Sequence, residues 1–258
     1  MQGYDPFQLG EAVRRFVTRA VFGIEERKYY RFRGGKWYGG ISTGDVVGCN
    51  LRCKFCWSWK YTHTTDKGEF YDPSKAFEKM HSIAKERGYS YVRISGGEPT
   101  LSFNHLLELL KLFNETNLTF ILETNGLLLG KEKSYVKALA NYNVVVRVSF
   151  KGATEDEFAI LTSARPEFYE YQFKALENLV EAGFRPGVDV YPAIMLSFST
   201  DESYSRFKER LRKIDPKFAE AIDEEYVILY PHVIEILKRN KLRPRIAFTP
   251  DNIPTSMI

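Results

Sequence analysis

Cys49, Cys53 and Cys56 are the only cysteines in the chain, and they stand in one short loop. Thiolates are soft ligands that suit iron–sulfur clusters and zinc. A cubane [4Fe-4S] cluster normally takes four cysteines. The Cys49-x3-Cys53-x2-Cys56 loop offers three, enough for three corners of a cubane with one iron left open to a ligand. Zinc held by the same cysteines and His63 is the alternative. Zinc ligands usually come in two separated pairs, whereas these three share a loop. An odd number of cysteines in one loop also suits a ligand set in a reducing compartment better than a disulfide.

Three further stretches could do chemistry. Gly96-Gly97-Glu98-Pro99-Thr100 follows a β-rich run. Its glycines let the backbone approach a ligand closely, and its carbonyls can accept hydrogen bonds from an ammonium. Glu123-Thr124-Asn125-Gly126 and Arg147-Val148-Ser149-Phe150-Lys151 close two more such runs.

With Phe55 before the last cysteine, the cysteine loop resembles the signature of the radical S-adenosylmethionine (radical SAM) superfamily. The resemblance implies a [4Fe-4S] cluster on Cys49, Cys53 and Cys56, with S-adenosyl-L-methionine (SAM) chelating the open iron. One electron from an external reductant of the ferredoxin or flavodoxin type would then cleave SAM, and the resulting 5′-deoxyadenosyl radical would take a hydrogen atom from the substrate. Gly96, Gly97 and Glu98 resemble the motif that holds the amino group of SAM. Glu123, Thr124, Asn125 and the segment from Arg147 resemble stretches of the glycyl-radical-enzyme activating enzymes, where two acids help bind a monovalent cation beside the SAM carboxylate. Here Ser149 stands where the second acid is expected. The Arg147 guanidinium is expected to replace the cation, held by Glu123 and touching the SAM carboxylate. Asn125 and Ser149 are candidates for ribose hydroxyls, and Lys151 for a surface position. Val190, Ala193 and Ile194 are expected to wall the adenine.

Positioning these residues calls for alternating strands and helices. Residues 7–22 read as an amphipathic helix and residues 25–40 as a lead-in loop or short hairpin. Strands are expected over 41–47, 91–95, 118–123, 144–150, 188–196 and 226–229, and a final one over 245–248. Asp72-Pro73 marks a helix start and Gly88 its stop. Further helices are expected over 103–113, 132–140, 203–214 and 232–240, and over 154–182 with a break at Arg165-Pro166. This alternation implies an α/β fold with a parallel sheet. About six units suit a partial (β/α)6 barrel with an N-terminal helical extension, which the radical SAM resemblance also implies. Residues 1–40 would form the helix and lead-in, and residues 41–258 the partial barrel with a C-terminal cap. Strands buried on both faces should be nearly all apolar. These carry Asp45, Arg93, Ser95, Glu123, Arg147, Ser149, Asp189 and Tyr191, mostly at alternate positions, which implies a polar lumen.

The 258 residues suffice for one large α/β domain. Hydrophobic residues make up 44% and charged residues 27%, as in a soluble globular protein. No run is long and apolar enough for a membrane span, and the N-terminus lacks an apolar signal core, so a cytoplasmic protein is expected. The net charge is +4. Arg14, Arg15, Arg19, Arg27, Lys28, Arg31, Arg33 and Lys36 at one end, with basic residues from Lys238 to Arg245 at the other, could form a patch for nucleic acid. No cysteine remains for an auxiliary cluster.

The expected function is therefore a small radical SAM enzyme, with a protein glycine as substrate if it is similar to the activating enzymes. The alternative is a nucleoside- or RNA-modifying enzyme similar to the 7-carboxy-7-deazaguanine synthases, which share Gly-Cys-Asn-Leu-Arg-Cys, Gly-Gly-Glu-Pro and a Glu-Thr-Asn/Ser-Gly segment. Their usual Cys-Asp-Thr is here Cys56-Trp57-Ser58. A non-catalytic iron–sulfur electron-transfer protein is the reading from another class.

Overall fold

Short β-branched runs alternate with amphipathic ones along most of the chain, and in the computed structural model, which describes residues 3–257, they become strands and covering helices. The strands are β1 (Thr18–Val21), β2 (Ile24–Gly35), β3 (Ile41–Val46), β4 (Glu69–Tyr71), β5 (Tyr91–Ser95), β6 (Thr119–Thr124), β7 (Val144–Phe150), β8 (Val190–Met195), β9 (Asp223–Glu225), β10 (Val227–Ile228) and β11 (Ala247–Phe248). One sheet runs in the order β1-β2-β3-β5-β6-β7-β8-β9, with β4 paired to β2. β3 and β5 to β9 are mutually parallel. They make a six-stranded partial barrel, open between the β1 and β9 edges, and the first five are the strands expected.

The helices start and stop where the chain's chemistry directs. Pro73–Arg87 is capped by the Asp72 carboxylate, which accepts from Lys75 N at 2.8 Å, and it ends on Gly88 at φ 66°. The expected break at Arg165-Pro166 separates Glu155–Thr162 from Glu170–Glu181. Along the strands the apolar parity faces these helices. Val92, Ile94, Phe120, Leu122, Val146, Val148, Phe150, Val190 and Ile194 all join one buried core. Phe150 sits edge-on to Tyr169, Phe173 and Phe207, with ring centroids 5.9, 4.8 and 4.9 Å away. The other parity faces the opposite way and carries the polar groups.

Several expectations change. The first helix stops at Val17, and Thr18–Val21 turns back as a strand through Phe22 and Gly23, both at positive φ. Residues 24–35 are not a lead-in loop. They form one long strand, antiparallel to β1 on one side and to β3 on the other. The sixth parallel strand is Asp223–Glu225, too short and too acidic to read as a strand. Val227–Ile228 pairs instead with Ala247–Phe248 in a separate small sheet. Asp189 precedes β8 and pairs with Arg185 at 2.6 Å, outside the lumen.

The basic N-terminal stretch does not stand free as a patch. Arg14 and Arg19 pair with Glu25 and Glu26, and Arg27 is buried. Arg31 and Arg33 turn onto Asp45. Among the described residues no helix is long and apolar enough to cross a membrane.

Phe150→Ala removes the centre of the helix-side aromatic cluster. It is expected to lower unfolding stability by about 3–5 kcal/mol, read from anaerobic denaturant titration of the cluster-loaded protein.

Candidate active site

β3 leads into Gly48, whose φ of 85° turns the chain into the cysteine loop. A side chain there would strike Val13. Gly48 N donates to Tyr61 O at 2.9 Å, and Gly48 O accepts from Glu98 N at 3.0 Å. Lys54 N donates to Leu161 O at 2.8 Å, and Arg52 N donates to the Tyr4 hydroxyl at 2.9 Å. The loop is thus tied to the sheet, to the first helix's lead-in and to a helix across the barrel.

All three cysteines line one cavity of about 990 Å³. Leu51 N donates to Cys49 Sγ at 3.3 Å, and the Asn125 amide and Thr62 hydroxyl stand 3.9 and 3.8 Å from Cys49 and Cys56 Sγ. Burial, with Glu98 adding to it, pushes the Cys49 thiol up to about 12, and burial raises Cys53 and Cys56 as well. Thiols in such a place lose their protons to a metal centre that repays the desolvated charge. Among the described residues no three of His, Cys, Asp and Glu close around a single-ion point. His63 turns its Nδ1 to the Thr62 hydroxyl at 2.9 Å and the Trp59 carbonyl at 3.1 Å. The zinc alternative is therefore not supported. Three thiols facing one cavity and supplied with N–H donors fit a cubane cluster.

The Gly96–Glu98 segment sits directly against this loop. A Cβ at Gly97 would lie 2.2 Å from Gly48 O, so only glycine fits. The buried Glu98 carboxylate works as a clamp. Its Oε1 accepts from Thr100 N at 3.1 Å, the Thr100 hydroxyl at 2.6 Å and the Thr124 hydroxyl at 2.7 Å. Its Oε2 accepts from Asn125 N at 2.9 Å. The Asn125 side chain donates to Asn50 Oδ1 at 2.7 Å, tying the end of β6 to the cysteine loop. From behind, Gln172 donates to the carbonyls of Asn125 and Ser149 at 2.7 and 2.8 Å and so aligns the ends of β6 and β7.

Arg27, read from the sequence as part of a surface patch, lies fully buried behind both loops. It reaches the carbonyls of Gly48 and Glu98 at 3.5 Å. Burial lowers its pKa to about 10, and its Nε has no partner among the described residues.

The charge pairing across the lumen differs from expectation. Glu123 does not hold Arg147. It takes Arg93 at 2.6 Å and the Tyr38 hydroxyl at 2.8 Å. Arg147 instead pairs with Asp223 at 2.6 Å and Glu225 at 2.9 Å, two acids brought in by β9. Ser149 donates to Glu225 at 2.9 Å, and Lys151, expected at the surface, lies on the cavity and donates to Ser149. Burial pushes Glu225 up, but Arg147 and Lys151 more than offset it and hold its carboxyl down at about 2. Asp223 and Glu225 were missed because nothing local marks Asp-Glu-Glu as a lumen strand. The one signal was two acids at alternate positions, Asp223 and Glu225, which share one face of a strand as Arg147, Ser149 and Lys151 do. The expected adenine wall also changes. Val190 and Ile194 belong to the helix-side core, Ala193 is fully buried and does not line the cavity, and Tyr191 and Met195 line it from β8.

A parallel partial barrel with a three-cysteine loop after its first parallel strand defines a class of iron–sulfur enzyme. The family model of the radical SAM superfamily matches residues 45–211, and the chain belongs to that superfamily. It therefore uses a [4Fe-4S] cluster and SAM. The chain is 26% identical over 162 residues to the probable GTP 3′,8-cyclase of Methanothermobacter thermautotrophicus, covering 62% of this chain and 50% of that protein. It is 25% identical over 198 residues to the pyruvate formate-lyase-activating enzyme of Clostridium pasteurianum, covering 76% of each. The matched region spans half or less of most of these curated relatives. Streptococcus suis SuiB bound to S-adenosylmethionine shares the fold at 17% identity and a TM-score of 0.53, covering 81% of this chain and 52% of that one.

Glu98→Gln replaces an acceptor oxygen with a donor amide in a pocket of donors. It is expected to weaken SAM binding by about tenfold or more at unchanged iron content, read by calorimetry and iron analysis. Arg147→Met strands two carboxylates and is expected to cost about 3–5 kcal/mol of stability, read by denaturant titration.

Proposed function

We propose that the chain cleaves SAM reductively and abstracts a hydrogen atom from a small molecule bound inside the cavity. The observation that carries this reading is the cavity itself. Ligand pockets run to about 300–1,000 Å³, and a volume of about 990 Å³ must hold the cluster and SAM and still leaves space for a second small molecule. β2 borders it on one side, and the segment from Tyr226 to His232 borders it on another. Trp37, Tyr38, Trp57, Tyr61, Tyr191 and Tyr230 supply aromatic surface, which keeps water from a reactive centre.

In this reading Cys49, Cys53 and Cys56 hold the cluster. The carbonyls of Gly96, Gly97 and Glu98 accept the SAM amino group, and Glu98 keeps that loop in place through Thr124 and Asn125. Arg147, fixed by Asp223 and Glu225 rather than by Glu123, offers its guanidinium to the SAM carboxylate. Asn125 and Ser149 stand near for the ribose. The cluster and SAM supply the hydrogen-atom abstraction on which the superfamily's reactions run. The electron comes from an external one-electron reductant of the ferredoxin or flavodoxin type. A nucleoside-like substrate agrees with the likeness of residues 48–53, 96–99 and 123–126 to the 7-carboxy-7-deazaguanine synthases and with the cyclase relative.

A second reading, a protein glycine as substrate, is favoured by the likeness to the pyruvate formate-lyase-activating enzyme, which extends over most of both chains.

Anaerobic incubation of the reconstituted protein with SAM and dithionite is expected to yield 5′-deoxyadenosine and methionine, and Cys56→Ala to abolish both. Acceleration by a small molecule, with deuterium from it appearing in 5′-deoxyadenosine, supports the leading reading. Acceleration only by a partner protein, with a radical appearing on that partner, supports the second.

A further inference from the structure

Two arginines of β2 share a single carboxylate. Arg31 and Arg33 stand at alternate positions and so point to one side of the strand. Asp45 of β3, with no exposed side-chain surface, accepts from Arg31 Nε at 2.8 Å and from Arg33 Nε and Nη2 at 2.7 and 3.2 Å. Two guanidinium groups against one carboxylate leave one positive charge over. Among the described residues no other acid lies within ion-pair distance of either. Both arginines line the cavity, with 46% and 22% of their side-chain surface exposed.

Elsewhere each lumen cation has its acid, and the two other acids on the cavity, Glu98 and Glu224, take hydrogen bonds from neutral hydroxyl and amide donors. Arg93 faces Glu123, and Arg147 and Lys151 face Asp223 and Glu225. The surplus is therefore local to the β2 corner. It adjoins flat apolar surface. The Arg33 guanidinium stands 5.7 Å from the centre of the Trp57 ring, and Trp57 is 40% exposed at the cavity wall. The Trp57 backbone is pinned by His232, whose Nε2 lies 2.6 Å from its carbonyl oxygen. Behind Arg31, Tyr30 stacks on Tyr61 with ring centres 3.6 Å apart. These groups are held by hydrogen bonds and ring stacking.

We infer that this corner receives the second substrate, and that this substrate carries an oxyanion, carboxylate or phosphate, beside a flat ring. The oxyanion meets Arg31 and Arg33 and supplies the missing negative charge through charge-assisted hydrogen bonds. The ring lies against Trp57. An uncharged substrate would bury the surplus positive charge without compensation, which a half-enclosed cavity penalises. SAM does not fill this role, because its amino-acid end is met at the ends of β5, β6 and β7. The inference rests on the reading that a small molecule occupies the cavity.

The test is calorimetric titration of the cluster-loaded, SAM-bound protein under anaerobic conditions with three probes: guanosine 5′-monophosphate, indole-3-carboxylate and guanosine. The phosphate or the carboxylate probe is expected to bind, and which of them does identifies the oxyanion. Guanosine is expected to bind about tenfold more weakly or not at all. Arg31→Gln and Arg33→Gln should each weaken the anionic probe by about tenfold while SAM affinity stays within about twofold. Arg31→Lys and Arg33→Lys, which keep Asp45 compensated should a glutamine variant misfold, should retain part of the binding.

Failure of both anions to bind, binding of guanosine as tight as that of its phosphate, or variants that bind the anion like the wild type would overturn the inference. So would a parallel loss of SAM affinity, which would assign the corner to SAM. Production of 5′-deoxyadenosine is read in the same samples. Its absence would sink the enzyme reading separately from anion binding.

Discussion

The site depends on one carboxylate kept out of water. Glu98 accepts four hydrogen bonds, two from Thr100 and one each from Thr124 and Asn125, while its own amide donates to Gly48. A buried carboxylate is tolerable only with its lone pairs satisfied. The turn after β5, the end of β6 and the root of the cysteine loop must therefore meet. Gly97 lets the backbones close to a distance that any side chain would forbid. The cysteine loop and the Gly96–Glu98 turn are held side by side by the same few bonds.

Around that clamp the lumen is a row of paired charges along successive strands. Each strand sends its apolar parity to the helices and its polar parity inward. Matching the inward charges allows them to stand at low exposure without large net cost. Arg93 with Glu123, and Arg147 and Lys151 with Asp223 and Glu225, are balanced locally. The Arg31, Arg33 and Asp45 group is not, and that imbalance gives the cavity a direction.

Much of this was legible in order along the chain. The cysteine spacing, the Gly96–Glu98 turn and the alternation of Arg93 with Ser95 and Arg147 with Ser149 are local features, and local features survive reading one residue after another. The pairing of Arg147 was not legible, because its partners on β9 lie far along the chain and three successive acids carry no strand signal. Arg27 was misread for a related reason. A guanidinium among other basic residues looks solvated until the loops that cover it are placed. The strand nature of residues 24–35 was hidden because its partner, β3, stabilises it from outside its own sequence.

The sequence by itself determined the ligand chemistry, the glycine-rich turn and the first five repetitions of strand and helix, since each follows from residue type and short-range periodicity. Only the tertiary structure decided which charges neutralise each other, which arginine is buried and where a positive charge is left over. Those outcomes depend on distances between strands that are neighbours in the sheet and distant in the chain, and electrostatic energy follows spatial separation rather than sequence separation.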